Sequence, residues 1–391
     1  MECRICKSET KEFLDLGCQP LANNLSHTPN DTHQRMYELR LAFCPICCTV
    51  QLVNTVSPRD MFNSKYPFFT SSSEYMVRHF GRLATLIQEE YMEHDDFIVE
   101  IGSNDGTFLK NFREYCHLGI EPSPNVAEKA KGLMGLNVTV EFFNEELTKR
   151  IYQHRGKAKV IVSTNSFPHI EDRDSVLKGI KKLLSPTGLW INEEAYLGSI
   201  IANVSYDQFY NEHIYTSSVA SFRNTVQRYG LELINAEYQS VHGGSMRYFV
   251  THQSNAIQKL SHLRNIIYVI CQENLADYKM LENFAFVVKM SKEKFLNTLD
   301  HTDGDIVGYG ATAKCTTILN YCGLDSSKIK RIYDTTPEKQ GLFIPGTDIR
   351  VVPHENFAKD KPKNVVLFAW NHAKEIFEKE KDKDINWIIP I

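Results

Sequence analysis

The stretch FYNEHIYTSS, residues 209–218, contains three side chains that can transfer protons within four consecutive positions. Tyr210 offers a hydroxyl, Glu212 a carboxylate and His213 an imidazole, which is the side chain best suited to accept a proton near neutral pH. A neighbouring carboxylate can orient such an imidazole and keep it basic. Two interpretations follow: a general base with its helpers, or unrelated polar side chains on a surface.

Four of the ten cysteines are arranged in pairs that suit a metal. Cys3 and Cys6 form C-R-I-C, and Cys44 and Cys47 form C-P-I-C. Each CxxC turn aims two thiolates at one point, so the pairs predict a tetrahedral Cys₄ zinc site, with Cys48 as an adjacent alternative to Cys47. Four thiolates leave no open coordination position, and the predicted Zn²⁺ is therefore structural.

A third candidate site lies in VEIGSNDGTFLKNF, residues 99–112. An apolar strand ends at Glu100 and turns through Gly102 and Gly106, where glycine permits close approach of the backbone to a ligand. The next strand ends at Glu121, where a carboxylate can bind two ribose hydroxyls. The pattern E-x-G-x-x-x-G differs from the dinucleotide fingerprint G-x-G-x-x-G. It predicts a ribose-containing cofactor, and the alternative is an ordinary strand-to-helix junction.

The surrounding elements divide the 391 residues into three predicted domains. Residues 1–62 form a zinc-binding domain, and residues 63–254 alternate β and α elements as a doubly wound, mostly parallel sheet does. Residues 255–391 begin with charged helices and end as a second, smaller α/β unit. Within the alternation, GTFLKNFREY predicts a helix, and RDSVLKGIKKLLSPTG predicts a helix stopped by Pro186 and Gly188.

Composition excludes several classes of partner. The net charge is −4, so no basic field attracts nucleic acid or an anionic membrane. No apolar run approaches the ~18 residues of a membrane span, and the polar N-terminus is unlike a secretory signal. A cytoplasmic enzyme is expected, and no motif indicates an oligomeric state.

Several segments, in order along nearly the whole chain, resemble one family. They are the paired CxxC motifs with LGCQPLANN, then YPFFTSSSEYM, VEIGSNDGTFL, GIEPSPNVA, YDQFYNEH, GGSMRYF and GYGATAKCTTILNYC. The chain resembles the sugar C-methyltransferases that act on nucleotide-linked 4-keto deoxysugars. The resemblance implies a Cys₄ zinc-binding N-terminal domain, a central class I methyltransferase domain of Rossmann-like fold, and a C-terminal α/β domain, also Rossmann-like, that helps to hold the nucleotide sugar.

The resemblance also implies S-adenosylmethionine as cofactor. The residues expected around it are Glu100, Gly102, Ser103, Asn104, Gly106, Glu121 and Asn165, the last near its methionyl part. Two positions depart from the family pattern. The tract that usually reads Tyr-His-Glu-His has Asn211 at its second position, and the segment that usually reads Asn-Val-x-Ala-His has Pro168 before His169.

Methylation of carbon requires that the carbon first become a nucleophile. A hydrogen next to a ketone can be removed if a base is at hand and the enolate oxygen is stabilised. We predict that His213 is this base, that Glu212 binds or orients substrate or histidine, and that Tyr210 and Tyr66 donate to the keto oxygen. His169 is a lesser candidate for the same chemistry, and Tyr75 competes with Tyr66.

Two lysines are candidates for binding the nucleotide diphosphate. Lys314 lies in GYGATAKC, a turn between a strand and a helix, where helix N-termini bind phosphate. Lys339 lies in PEKQG. For both, a packing role in an ordinary turn is the alternative.

The predicted function is C-methylation of a dTDP- or GDP-linked 4-keto-6-deoxy sugar, at C3. One alternative is an O- or N-methyltransferase of small molecules, which needs no base for a carbon acid. The other is a zinc-containing nucleic-acid-binding protein, which the acidic net charge disfavours.

Overall fold

The computed structural model describes residues 1–256, 260–273, 275, 277–381 and 384–391, so the charged helices predicted at the start of residues 255–391 are described only in part. The strands in chain order are β1 (Lys11–Pro20), β2 (Met36–Phe43), β3 (Val50–Leu52), β4 (Phe97–Ile101), β5 (Cys116–Ile120), β6 (Val138–Thr139), β7 (Ala158–Thr164), β8 (Leu184–Ala195), β9 (Tyr215–Thr216), β10 (Leu231–Gln239), β11 (Ser245–His252), β12 (Ile306–Tyr309), β13 (Ile332–Asp334), β14 (Val351–Pro353), β15 (Asn364–Leu367) and β16 (Asn386–Ile388).

The α-helices in chain order are α1 (Pro58–Met61), α2 (Glu74–Glu90), α3 (Pro124–Met134), α4 (Glu145–Arg155), α5 (Arg173–Leu183), α6 (Leu197–Ala202), α7 (Val219–Gln227), α8 (Gln253–Ala256), α9 (Leu260–Glu273), α10 (Tyr278–Asp300), α11 (Ala313–Cys322), α12 (Glu355–Asp360) and α13 (Ala373–Lys379). In the described ranges, no helix is both long and apolar enough to cross a bilayer.

The N-terminal sheet has the order β1-β2-β3-β9 and is antiparallel. Its fourth strand comes from the central part of the chain, because Gln51 pairs with Tyr215 and Val50 with Thr216. The backbone N–H of Leu52 also donates to the carbonyl of Ile214 at 2.8 Å. The tract at residues 209–213 is thus anchored directly to the zinc-binding region.

The central sheet has the order β10-β11-β8-β7-β4-β5-β6. The strands from β8 to β6 are parallel, and β11 runs antiparallel between β8 and β10. All five residues of β4 are buried, as expected for an inner strand that is covered by helices on both faces. The predicted doubly wound, mostly parallel sheet is therefore confirmed.

One local prediction was wrong and another is confirmed. The segment GTFLKNFREY contains only a 3₁₀ turn at Leu109–Phe112, because Phe108 and Phe112 are buried in one apolar cluster and Leu109 in another, and this packing overrides the local helical pattern. The helix predicted over RDSVLKGIKKLLSPTG is α5, which ends at Leu183, and Pro186 and Gly188 lie inside β8. The residue before a proline avoids helical angles, so the chain becomes extended from Leu184 onward.

The C-terminal sheet has the order β14-β13-β12-β15-β16 and is parallel throughout. Its apolar core is continuous with that of the N-terminal sheet, since Leu41 of β2, Phe284 of α10 and Ile318 of α11 belong to one buried cluster. Phe209, at the start of the FYNEH tract, lies in the same cluster. The two outer parts of the chain therefore pack together on either side of this tract.

Candidate active site

A cavity of about 740 Å³ lies at the carboxyl ends of β4, β5 and β7 and extends to the C-terminal domain. The residues predicted to act on substrate all line it: Tyr66, His169, Tyr210, Glu212 and His213. The predicted cofactor residues other than Gly106 also line it: Glu100, Gly102, Ser103, Asn104, Glu121 and Asn165. Lys314 and Lys339 line its far end, whereas Tyr75 is outside the lining.

His213 is half-buried at the cavity wall and is held in one tautomer. Its Nδ1–H donates to the backbone carbonyl of Gln208 at 2.8 Å, so Nε2 carries the lone pair. The hydroxyl of Tyr210 donates to that Nε2 at 2.7 Å. Burial, followed by the nearby His169, lowers the pKa of His213 well below its usual value, while burial raises the pKa of Tyr210. The pair is therefore neutral, with its basic nitrogen at the cavity wall.

The carboxylate of Glu212 is hydrogen-bonded to residues other than His213. The side-chain amide of Asn23 donates to Glu212 Oε1 at 2.7 Å, and the Tyr66 hydroxyl is a second hydrogen-bond partner. Burial raises the pKa of Glu212 to about 7, although both hydrogen bonds oppose the shift. The carboxylate can therefore change its charge near neutral pH, and the Gln208 carbonyl, instead of Glu212, orients His213.

His169 lies beside this pair in a 3₁₀ turn at Phe167–His169. Its Nδ1–H donates to the backbone carbonyl of Glu212 at 2.6 Å, and its ring centroid is 5.1 Å from that of His213. Burial lowers the pKa of His169. Pro168, which departs from the family pattern, occupies the start of the turn, where its fixed φ is compatible with helical geometry.

The turn after β4 presents its backbone to Glu121. The N–H of Asn104 donates to Glu121 Oε2 at 3.0 Å, and the N–H of Ser123 donates to Oε1 at 2.8 Å. Gly102 has φ +73°, and a Cβ there would lie 2.4 Å from the Cβ of Ser166. The turn thus requires glycine, and Glu121 retains lone pairs that can accept two ribose hydroxyls.

The remaining cofactor candidates divide into two groups. Glu100 Oε2 and Ser103 Oγ are buried without a hydrogen-bond partner among the described residues, and both side chains line the cavity beside Glu121. Unpaired acceptors and hydroxyls of this kind fit the hydroxyl and amino groups of S-adenosylmethionine. Gly106 has a packing role, because a Cβ there would lie 2.4 Å from Leu136 Cδ1.

Replacement of Glu121 by glutamine is expected to weaken cofactor binding. A carboxylate that accepts ribose hydroxyls contributes about 1.5–3 kcal/mol per hydrogen bond, so the affinity should fall by about 10–100-fold. Calorimetric titration with S-adenosylhomocysteine measures this directly. Glu128→Gln, on an exposed position of α3, is the matched control, and equal affinities for both variants would contradict the assignment.

Basic side chains gather at the far end of the cavity. Lys314 donates to the side-chain oxygen of Asn371 at 3.3 Å, and burial lowers the pKa of Lys314 while Asp207 opposes the shift. Burial and the charge of Lys314 lower the pKa of His242 to about 3 and also lower the pKa of His372. Burial is the larger cause of these shifts and the charge of Lys314 the smaller one, and a lysine beside two neutral imidazoles at the end of a cavity suits an anionic ligand.

The predicted metal ligands form a cluster apart from the cavity. The sulfur atoms of Cys3, Cys6, Cys44 and Cys47 all lie within 4.8 Å of one another. A tetrahedral ion with Zn–S bonds of about 2.3 Å needs sulfurs about 3.8 Å apart, so these residues fit zinc. The two knuckles share one geometry, since Lys7 and Cys48, which follow the second cysteine of each, have φ of +64° and +61°. Cys48 belongs to the neighbouring apolar core and not to the thiol cluster.

Four residues of the cavity wall were missed in the sequence. Asn23 and Gln208 bind the side chains of Glu212 and His213, and His242 and His372 accompany Lys314. Asn23 and Gln208 lie within quoted motifs, and His242 directly precedes GGSMRYF. For these three residues, a position inside or beside a motif was the feature of the sequence that could have indicated a role in the site.

Three family models match consecutive parts of the chain. They are described as "Putative zinc binding domain" for residues 3–62, "Methyltransferase domain" for 77–236 and "C-methyltransferase C-terminal domain" for 240–391. C-methyltransferase NovU from Streptomyces niveus is 28% identical over 401 residues, which span 100% of this chain and 95% of that protein. Carboxy-S-adenosyl-L-methionine synthase from Nautilia profundicola is 25% identical over 160 residues, 38% of this chain and 64% of that protein.

Solved methyltransferase structures match just under half of the chain. A methyltransferase in complex with the Haloferax volcanii activator Trm112 gives a TM-score of 0.37 at 15% identity over 47% of this chain and 93% of that chain. Magnesium protoporphyrin IX methyltransferase from Synechocystis with bound S-adenosylhomocysteine gives a TM-score of 0.35 at 14% identity, over 45% of this chain and 83% of that chain. Both TM-scores are low, so the assignment rests on the sequence matches. Together with the Cys₄ cluster and the central sheet, these matches show an S-adenosylmethionine-dependent methyltransferase with a zinc-binding N-terminal domain, similar to a C-methyltransferase over its whole length.

Proposed function

We propose that the enzyme methylates the ring carbon next to the ketone of a nucleotide-linked 4-keto-6-deoxy sugar, of the dTDP or GDP type. The observation that carries the proposal is that one cavity joins three sets of side chains. Cofactor candidates lie around Glu121, proton-transfer groups around His213, and the ammonium groups of Lys314 and Lys339 at the far end. A substrate with an acidic C–H bond at one end and a diphosphate at the other would use the last two sets together.

The groups around His213 suit the formation of a carbon nucleophile. The Nδ1–H bond to Gln208 leaves Nε2 as a proton acceptor, and the Tyr210 hydroxyl is bonded to that nitrogen. A keto oxygen that takes the Tyr210 hydrogen bond would free the lone pair of Nε2 for the neighbouring C–H. The base and the donor to the developing oxyanion then act on adjacent atoms of the substrate.

The proton balance of the proposed step is simple. The C–H bond breaks, its proton moves to Nε2 of His213, and its electron pair forms an enolate whose oxygen accepts from Tyr210. When bound, S-adenosylmethionine would supply an electrophilic methyl group to the enolate carbon: the carbon–sulfur bond would break as the carbon–carbon bond forms, its electron pair would stay on sulfur to leave the neutral thioether S-adenosylhomocysteine, and the ketone would re-form. A 4-ketone acidifies the hydrogens at C3 and C5, and we place the reaction at C3 because C5 already carries the carbon branch.

The cationic end of the cavity supports a diphosphate-containing substrate. Helix α11 begins at this end, with Thr312, Ala313 and Lys314 in the cavity wall. Its N-terminal N–H groups and the Lys314 ammonium both favour phosphate. Lys339 is held close by, since its Nζ donates to the carbonyl of Ala311 at 2.8 Å. His242 has φ +55°, a strained value that is typical of functional loops.

Product analysis tests the proposal. The enzyme is incubated with S-adenosylmethionine labelled with ¹³C in its methyl group and with dTDP- and GDP-linked 4-keto-6-deoxy sugars, and NMR locates the label. We expect a new carbon–carbon bond at C3, and a marked rise in KM when the same sugar is supplied without its nucleotide. A label on oxygen or nitrogen, or turnover only with acceptors that lack a ketone, would overturn the proposal in favour of O- or N-methylation.

A further inference from the structure

We infer that Asn23, a residue of the N-terminal region, is a positioning residue that fixes the orientation and charge of the Glu212 carboxylate during methyl transfer. The inference rests on the proposed function of the cavity. Its starting point is the 2.7 Å hydrogen bond from Asn23 Nδ2 to Glu212 Oε1. The two residues are separated by 189 positions in the sequence, and both line the cavity.

The loop that carries Asn23 is held in place on both sides. Thr316 of α11 donates its hydroxyl to the carbonyl of Ala22 at 2.9 Å. Farther along the loop, Ser26 and Phe343 exchange backbone hydrogen bonds of 3.1 and 2.8 Å. The amide of Asn23 is therefore placed by the backbone of its loop, and the C-terminal domain supports that placement.

The hydrogen bond acts on a carboxylate that burial would otherwise neutralise. An amide N–H bonds the carboxylate more strongly than the neutral acid, so Asn23 favours the ionised state of Glu212 and opposes the burial that raises its pKa. The other groups that face Glu212 contribute no opposite charge. Burial raises the pKa of Tyr66 and Tyr210 and lowers the pKa of His169, so that all three remain neutral near pH 7.

The same loop connects the two ends of the cavity. Thr316 lies in the first turn of α11, whose N-terminus carries Lys314, and its partner Ala22 precedes Asn23. A diphosphate bound at the start of α11 would therefore contact the helix that supports the loop of Asn23. This arrangement gives the N-terminal region a part in the reaction in addition to its metal site.

Two substitutions at Asn23 test the inference, with the adjacent residue as control. Asn23→Ala removes the donor, and Asn23→Asp keeps the shape but replaces the donor with an acceptor. Asn24→Ala is the matched control, because Asn24 is exposed and outside the cavity lining. Two quantities are measured for each: the midpoint of the acid limb of kcat against pH, and the titration of the Glu212 carboxyl by ¹³C NMR, assigned with Glu212→Gln.

We expect both Asn23 variants to raise the NMR midpoint and the kinetic midpoint by about 1–2 pH units, the equivalent of one lost hydrogen bond to a charged group. Asn24→Ala should leave both unchanged. Unshifted midpoints in Asn23→Ala, or a loss of kcat without a shift, would overturn the inference. If Asn23→Ala does not fold, the near-isosteric Asn23→Asp decides by the same criteria. The NMR titration needs no substrate, so it remains decisive even if keto sugars prove not to be methylated.

Discussion

Replacement of His213 by asparagine is expected to abolish solvent deuterium exchange at the sugar carbon next to the ketone. Asparagine has a similar shape but cannot accept a proton from carbon, and loss of a general base typically costs about 10²–10⁴-fold in rate. Methyl transfer should fall by the same factor, because the enolate precedes it. Affinity for S-adenosylhomocysteine should stay within about twofold, since His213 is bonded to Tyr210 and Gln208 and not to the residues around Glu121.

Exchange is measured by ¹H NMR in D₂O with the keto sugar and S-adenosylhomocysteine, so that no methyl transfer competes. His301→Asn, at an exposed position just beyond α10, is the matched control. If His213→Asn retains exchange and Glu212→Gln loses it, Glu212 is the base. Such a result is physically reasonable, because burial places the pKa of Glu212 at about 7.

The pH dependence of turnover separates the two residues further. The pKa of His213 is lowered well below its usual value, so its Nε2 remains unprotonated throughout the neutral range. Glu212 has its pKa raised to about 7 and gains a proton as the pH falls through that value. We therefore expect the acid limb of the wild-type profile of kcat against pH to report the Glu212 carboxylate. That limb should disappear from the residual activity of Glu212→Gln.

Features that depend on local spacing could be predicted from the sequence. The CxxC pairs, the alternation of strands and helices, and the turn from Glu100 to Gly106 each lie within one short segment, and local geometry limits what such a segment can form. The central sheet and the smaller C-terminal sheet were predicted in this way. The helix expected at GTFLKNFREY is a 3₁₀ turn instead, because burial of Phe108, Leu109 and Phe112 in two different apolar clusters overrides the local pattern.

Contacts between distant segments could not be read from the sequence. Asn23 and Glu212 meet because β9 joins the N-terminal sheet and because the C-terminal domain holds the loop of Asn23, and neither contact has a local signal. The orientation of His213 comes from the Gln208 carbonyl, and a backbone carbonyl is present at every position of the chain. The sequence therefore supplied the types of group in the tract but not which of them are partners.

The zinc site reaches the candidate active site through two contacts. Strand β9 pairs with β3 of the zinc-binding region and begins two residues after His213. The guanidinium of Arg173 lies between the rings of Tyr215 in β9 and Phe167, at 3.9 and 4.2 Å from their centroids. Phe167 begins the 3₁₀ turn that ends at His169. A disturbance of the knuckles would therefore move both histidines.

Removal of the zinc site is accordingly expected to cost both stability and activity. Metal analysis of gently purified protein should give about one zinc per chain. Cys47→Ser should lose the metal, because the three thiols that remain no longer complete a tetrahedral site. A structural zinc contributes about 10–16 kcal/mol to the folding of zinc-finger peptides, and a loss of even about 5 kcal/mol lowers Tm by roughly 10–20 °C.

Cys48→Ser is the matched control, since the adjacent thiol lies in the apolar core and outside the metal cluster. It should retain zinc, and its Tm should fall only by the few degrees that follow when a hydroxyl replaces a buried thiol. The opposite pattern, with zinc lost in Cys48→Ser and kept in Cys47→Ser, would show that Cys48 is the fourth zinc ligand instead of Cys47. A wild-type protein stripped of metal that kept its Tm and its deuterium exchange would show that the knuckles fold without zinc, and that the position of β9 does not depend on it.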